Sequence, residues 1–130
     1  MHVLVTGGAG FIGSAVCRRL TADPRTNVIN FDKLTYAASL QSLSAIENRP
    51  NYRFVHGNIC DHALVLETLH RHRVDAIMHL AAESHVDRSI DGPEVFIESN
   101  IVGTFQLLKA ALSYWQSLPG DRKAGFRFLA

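Results

Sequence analysis

The chain lacks the features that would direct it to a bilayer, a secretory route or a polyanion. None of its apolar runs approaches the roughly 20 residues needed to span a membrane, and the charged start and long apolar stretch of a signal peptide are both missing. A cytoplasmic protein is expected. Thirteen Lys and Arg against twelve Asp and Glu leave a formal charge of +1. That balance excludes a global field able to gather nucleic acid or anionic lipid. The two cysteines, Cys17 and Cys60, have no CxxC spacing and read as reduced, partly buried thiols. Seven histidines are scattered over positions 2, 56, 62, 70, 72, 79 and 85 without an HExxH or a compact Cys/His set, so no metal site is expected. No Pro/Gly/Ser-rich linker, repeat or low-complexity segment divides the 130 residues. With 47% hydrophobic content they suit one domain, which at this size buries about two-thirds of its unfolded surface.

What is present is concentrated at the start. Val3 to Val5 form a short apolar run, and Gly7, Gly8, Gly10 and Gly13 follow before apolar residues recur at helical spacing through Phe11, Ile12, Val16, Cys17 and Leu20. A nucleotide pyrophosphate needs this layout: a buried strand turns sharply into a helix whose first amides stay free, and side chains are absent where they would block the turn, the phosphates or the strand-helix contact. A second apolar run, Val28 to Phe31, ends at Asp32, nineteen residues after Gly13. An acid there accepts hydrogen bonds from both hydroxyls of an adenosine ribose and repels a 2′-phosphate, which favours NAD over NADP. Lys33, next in line, works in the opposite sense by bringing a cation near that phosphate.

Alternation of short apolar runs with longer amphipathic stretches predicts an α/β fold. Strands are expected near 2–6, 27–32, 52–56, 74–80 and 125–130, and helices near 11–22, 38–48, 61–72 and 93–117. Asp61 is a candidate N-cap, and Pro93 suits a first helical position. Right-handed crossovers then give a Rossmann-like parallel sheet of order 3-2-1-4-5 with helices on both faces. The cluster His70-Arg71-His72-Arg73 falls where cations meet the negative end of a helix dipole, a structural placement. The last helix carries two apolar stripes. Ile97, Ile101, Phe105, Leu108, Leu112 and Trp115 form one, and Phe96, Leu107, Ala111, Tyr114 and Leu118 form the other. One face fits the sheet; the second requires another cover, either a further part of the protein or a second copy in a homodimer.

Ligands on open parallel sheets lie beyond the carboxyl ends of the strands. That nominates Gly7 to Ile12, Asp32 to Thr35, Asn58-Ile59 and Leu80 to Ser84. Ala81 and Ala82 are small enough for a cofactor to approach the backbone, or simply for helix-sheet packing. Asn58 offers an acceptor to an adenine amino group, or it closes a turn. Ser84, His85, Asp87, Arg88 and Ser89 form a polar run after the fourth strand.

These segments carry a resemblance. TGGAGFIGSAV at 6–16, DKLTYA at 32–37, HLAAESHVDRSI at 79–90 and NIVGT at 100–104 resemble the extended short-chain dehydrogenase/reductase superfamily. The combination of SHVDRSI with DKLTYA resembles the dTDP-glucose 4,6-dehydratase family in particular. The resemblance implies NAD contacts at Phe11, Ile12, Asp32, Lys33, Leu34, Thr35, Asn58, Ile59, Leu80, Ala81, Ala82, Glu83, Ser84 and Ser99, in addition to Gly7, Gly10 and Gly13. It also implies that Ser84 and His85 face the sugar nucleotide. The family usually carries Asp at position 58 and often Thr at position 99, so Asn58 and Ser99 are departures. Loss of the charge at 58 implies a modest fall in cofactor affinity.

The chemistry implied is an internal redox cycle: hydride leaves C4 of the glucose for NAD, water is eliminated across C5 and C6, and the hydride returns to C6. The family's proton-transfer groups are a tyrosine with a lysine four residues later and a Thr-Asp-Glu run after the fifth strand. Neither occurs here, because Tyr36, Tyr52 and Tyr114 are followed at that spacing by Leu40, His56 and Leu118. Residues 1–130 therefore read as a cofactor domain without catalytic residues of its own. A UDP-sugar epimerase or decarboxylase of the same superfamily, and a catalytically silent dinucleotide-binding or dimerisation module, are the competing readings.

Overall fold

A computed structural model describes residues 1–34, 40–81 and 93–130, with positions 95, 96, 98 and 99 described by their backbone alone. Five strands, β1 (His2–Thr6), β2 (Asn27–Asp32), β3 (Tyr52–His56), β4 (Ala76–His79) and β5 (Arg127–Leu129), form one sheet of order β3-β2-β1-β4-β5. All four pairings are parallel, with Thr6 opposite Phe31 on one side and His79 on the other. The predicted order is borne out.

The continuous apolar run of β1 is explained by two cores. Leu4, Ile29, Phe31 and Ile77 face one layer, where Val65 and Leu69 of α2 (His62–Arg71) and Leu107, Ala111 and Tyr114 of a later helix fill the space. Val3, Val5 and Val28 face the other, against Cys17 of α1 (Phe11–Thr21), Leu43, Ile46 and Tyr52. A strand covered on both faces has no polar side to alternate with. Asp61 caps α2 as expected, its carboxylate accepting from the Leu64 amide at 3.1 Å. The basic run closes the same helix: His70 meets the Tyr114 ring edge-on at 5.0 Å, His72 is the C-cap, and Arg73 turns the chain with φ +50.

Four expectations are corrected. The helix expected at 38–48 is, among the described residues, a 3-10 turn at Leu40–Leu43 followed by further turns. Ser44, Ile46 and Arg49 each donate to the carbonyl three residues earlier, and the buried pair Leu43 and Ile46 is spaced by three, which suits the tighter winding. The helix expected over 93–117 is three consecutive segments: α3 (Pro93–Ile97), a π turn (Glu98–Val102) and α4 (Gly103–Gln116). A further short helix, α5 (Gly120–Gly125), was too brief for periodicity to reveal. The strands expected at 74–80 and 125–130 are shorter at both ends, Ala76–His79 and Arg127–Leu129; the left-handed Arg73 turn precedes the first, and α5 takes up Gly125 before the second.

Of the two apolar stripes expected over 93–117, the described part of one is buried and most of the other is not. Leu107, Ala111 and Tyr114 face the sheet, and the Tyr114 hydroxyl donates to the Val74 carbonyl at 2.7 Å. Ile101, Phe105, Leu108 and Leu112 are left 47–63% exposed, while Trp115 is partly covered by α5, its indole N–H donating to the Lys123 carbonyl. No described helix is long and apolar enough to cross a membrane.

Candidate functional site

Because every strand runs the same way, the residues after β1, β2, β3 and β4 arrive at one edge of the sheet. The glycines at that edge have different reasons for being glycine. Gly7 has φ +73, and a Cβ there would lie 2.7 Å from the backbone N and Cα of Ala81. At Gly13 a Cβ would collide with the Gly7 carbonyl oxygen. These two let the loop, the start of α1 and the end of β4 pack backbone against backbone. Gly10 is in ordinary extended backbone (φ −76, ψ 178), and the nearest atom to an added Cβ is the Gly7 oxygen at 3.4 Å. The fold itself would accept a side chain at Gly10.

Gly10 is also the N-cap of α1 and supplies no side chain to cap it. The Ser14 amide returns to the Gly10 carbonyl at 2.8 Å, whereas the amides of Phe11, Ile12 and Gly13 precede the first available intrahelical carbonyl. These three amides open α1 without a side-chain cap, and Phe11 and Ile12 are 93% and 66% exposed. Beneath the loop lies Asn30, fully buried, whose Nδ2 donates to the Tyr52 hydroxyl at 3.1 Å while Oδ1 faces Gly8 without a hydrogen-bond partner. A Cβ at Gly8 would collide with that oxygen. The sequence offered no signal for Asn30 except a polar residue inside an apolar strand.

Asp32 at the end of β2 is turned toward the glycine loop. Its Oδ2 accepts from the Ala9 amide at 2.9 Å and its Oδ1 from the Leu34 amide at 2.7 Å, with Leu34 at φ +58. Two backbone donors hold the carboxylate in one orientation, and each oxygen keeps acceptor capacity for a further hydroxyl. After β3, the Asn58 side-chain oxygen accepts from the Cys60 amide at 2.9 Å, the turn geometry that was one of its two readings. Ile59 is buried among Leu4, Ile29 and Phe31, so its side chain belongs to the core.

After β4, the Leu80 and Ala81 amides donate to the Thr6 hydroxyl oxygen at 3.1 and 3.2 Å. The same hydroxyl meets His79 Nδ1 at 2.7 Å, and His79 Nε2 meets the Thr104 hydroxyl at 2.8 Å. Burial pushes the His79 ring below the usual histidine range, toward its neutral form. Neither threonine had been singled out from sequence. Thr35, Ala82, Glu83, Ser84, His85 and the polar run through Ser89 lie outside the described residues, as does the side chain of Ser99, whose backbone is in the π turn.

Cys17 sits behind the loop. It is fully buried, and loss of hydration, with Asp32 nearby, pushes its thiol up to about 12. Cys60 is half-buried, and no disulfide joins it to Cys17.

The glycine turn, the uncapped start of α1 and the Asp32 carboxylate thus share one edge of the sheet. The family model described as GDP-mannose 4,6 dehydratase matches residues 4–129. The chain belongs to this dehydratase family. Within the family it is 59% identical over 128 residues to a dTDP-glucose 4,6-dehydratase of Escherichia coli, covering 98% of this chain and 35% of that protein. The dTDP-glucose 4,6-dehydratase of Neisseria gonorrhoeae is 54% identical over 127 residues, with 98% and 37% covered. Among solved structures, DesIV, a dTDP-glucose 4,6-dehydratase of Streptomyces venezuelae with NAD bound, superposes with a TM-score of 0.82 at 50% identity, over 88% of this chain and 36% of that one. A UDP-glucose 4-epimerase of Thermotoga maritima gives 0.77 at 33% identity, over 88% and 34%. The chain spans little more than a third of the length of these family members.

Proposed function

We propose that residues 1–130 form the NAD-binding domain of a cytoplasmic dTDP-glucose 4,6-dehydratase, with the residues that move protons during catalysis lying elsewhere in the whole protein. The observation that carries this reading is the pairing of an uncapped helix start, open in front of Gly10, with an Asp32 carboxylate held against the same loop. The amides of Phe11, Ile12 and Gly13 would bind the pyrophosphate, Gly7 and Gly10 giving it room. Asp32, with Lys33, Leu34 and Thr35 beside it, would take the adenosine ribose, and Asn58-Ile59 the adenine edge. The family resemblance assigns Leu80 to Ser84 and Ser99 to NAD as well, and Ser84 and His85 to the sugar nucleotide. When bound there, NAD would supply the reversible hydride acceptor that such a dehydration without net redox change requires. The closer relationship to dTDP-glucose dehydratases than to the Thermotoga epimerase supports the dehydratase over an epimerase.

Fluorescence titration tests the cofactor assignment. NADH is expected to bind about 10- to 100-fold more tightly than NADPH, the equivalent of roughly 1.5–3 kcal/mol for charge-assisted bonds exchanged for repulsion. Asp32→Ala should erase most of that difference. Tighter binding of NADPH by the unaltered protein would overturn the assignment.

We also infer that the exposed stripe of α4 pairs two copies into a homodimer. Phe105, Leu108 and Leu112 recur at helical spacing along α4 and Ile101 precedes them in the π turn, an exposed apolar strip larger than the scattered apolar residues of an ordinary surface. Leu112→Asp should convert a dimer to a monomer in sedimentation velocity while leaving the helical signal intact. An unaltered protein that stays monomeric at high concentration would refute the pairing, and would favour cover by another part of the protein.

A further inference from the structure

Most of the cradle is backbone, so something must hold that backbone still. The peptide after β4 is critical, because Ala81 is the segment against which Gly7 makes its closest approach. Three side chains from three different elements meet behind it: Thr6 from β1, His79 from β4 and Thr104 from α4.

Their hydrogens can be assigned by counting. The Thr6 oxygen receives two backbone N–H groups, those of Leu80 and Ala81, the former shared with the Thr6 carbonyl at 3.0 Å. A hydroxyl has two lone pairs and one proton. With both lone pairs engaged, the proton is what remains for His79, so Thr6 donates and Nδ1 accepts. The imidazole proton then resides on Nε2 and is donated to Thr104. The opposite tautomer would aim an N–H at an oxygen with no lone pair left. A protonated ring would do the same, and burial already disfavours it.

We propose that His79 is a positioning residue for the cofactor site: as a neutral Nε2–H imidazole it locks the Thr6 hydroxyl rotor, which in turn holds the Leu80-Ala81 peptide against the glycine turn. Thr104 anchors the far side of the ring. It is the second residue of α4, immediately after the π turn that interrupts the helical stretch. A regular helix would arrive at this point with a different rotation, so the π turn helps decide which side chain meets Nε2. The network thus ties the first strand, the fourth strand and the last long helix together at one atom of the cradle floor. The inference rests on the NAD reading above for its consequence, but not for its geometry.

The two bonds of the ring can be tested separately. An asparagine oxygen can occupy the place of Nδ1, whereas a glutamine amide reaches the place of Nε2. His79→Asn should keep NAD affinity within about threefold of the unaltered protein, and His79→Gln should weaken it by about tenfold or more. In 15N-labelled unaltered protein, the ring signals should show a bare Nδ1 and a protonated Nε2, a readout that needs no variant to fold. A proton found on Nδ1, or undiminished NAD affinity in His79→Gln, would overturn the proposal. So would equal losses of affinity and melting temperature in both variants, which would reduce His79 to packing. An unaltered protein that binds no NAD would refute the cofactor reading instead, and the ring signals would still decide the network.

Discussion

Gly10→Val should abolish NAD binding and leave the domain folded. Backbone strain does not require glycine at this position, since φ −76 and ψ 178 are comfortable for a β-branched residue and an added Cβ finds only the Gly7 oxygen at 3.4 Å. The isopropyl group would instead stand at the N-cap, beside the uncapped Phe11, Ile12 and Gly13 amides that the proposed pyrophosphate contact uses. A pyrophosphate displaced from two charge-assisted backbone bonds loses about 3–6 kcal/mol, a weakening of more than about 100-fold. The check is a nucleotide titration beside a urea denaturation curve. Affinity should collapse while the unfolding free energy moves by less than about 1 kcal/mol. Unchanged affinity would remove the loop from the binding site.

Gly13→Ala should do the reverse in emphasis, destabilising the domain by about 3 kcal/mol, at the upper end of what overpacking costs. Here the obstacle is the Gly7 carbonyl oxygen, part of a turn that is itself pinned by the Gly10 amide at 3.1 Å and by the Gly7 amide donating to Phe31 at 2.9 Å. Backbone cannot swing aside as a side-chain end can. Relief requires α1 to slide away from β1, which opens the core around Cys17, Val3 and Val5. The urea midpoint measures the effect, and an unchanged midpoint would show that α1 is less tightly seated than the geometry requires. Together the two variants separate a glycine demanded by the ligand from a glycine demanded by packing.

That separation was beyond the reach of the sequence, where Gly10 and Gly13 look alike. Much else was legible. Periodicity located α1 and α2, the continuous apolar runs predicted buried parallel strands, and the second run ends at an acid, Asp32, which the structure holds against the loop. Each of these is a local property, written in residues close together along the chain. The 38–48 segment misled because its polar residues and two apolar positions fit an α-helix as well as a 3-10 turn, and only contact with the sheet chose between them. The stripes of α4 were both visible, but which one meets the sheet depends on the helix rotation.

By itself the sequence determined the sheet order, the chemistry available at each strand end and the presence of a glycine-rich turn between the first strand and helix, because these follow from side-chain pattern and from the handedness of the crossovers. The tertiary structure alone decided which functional groups face one another. The Asn30-Tyr52 bond beneath Gly8, the Asp32 carboxylate held by Ala9 and Leu34, and the Thr6-His79-Thr104 network all join atoms whose hydrogen bonds span positions far apart in the chain or depend on side-chain direction. The physical reason is that hydrogen bonding is directional and short-ranged, so its partners are settled only when the elements have packed.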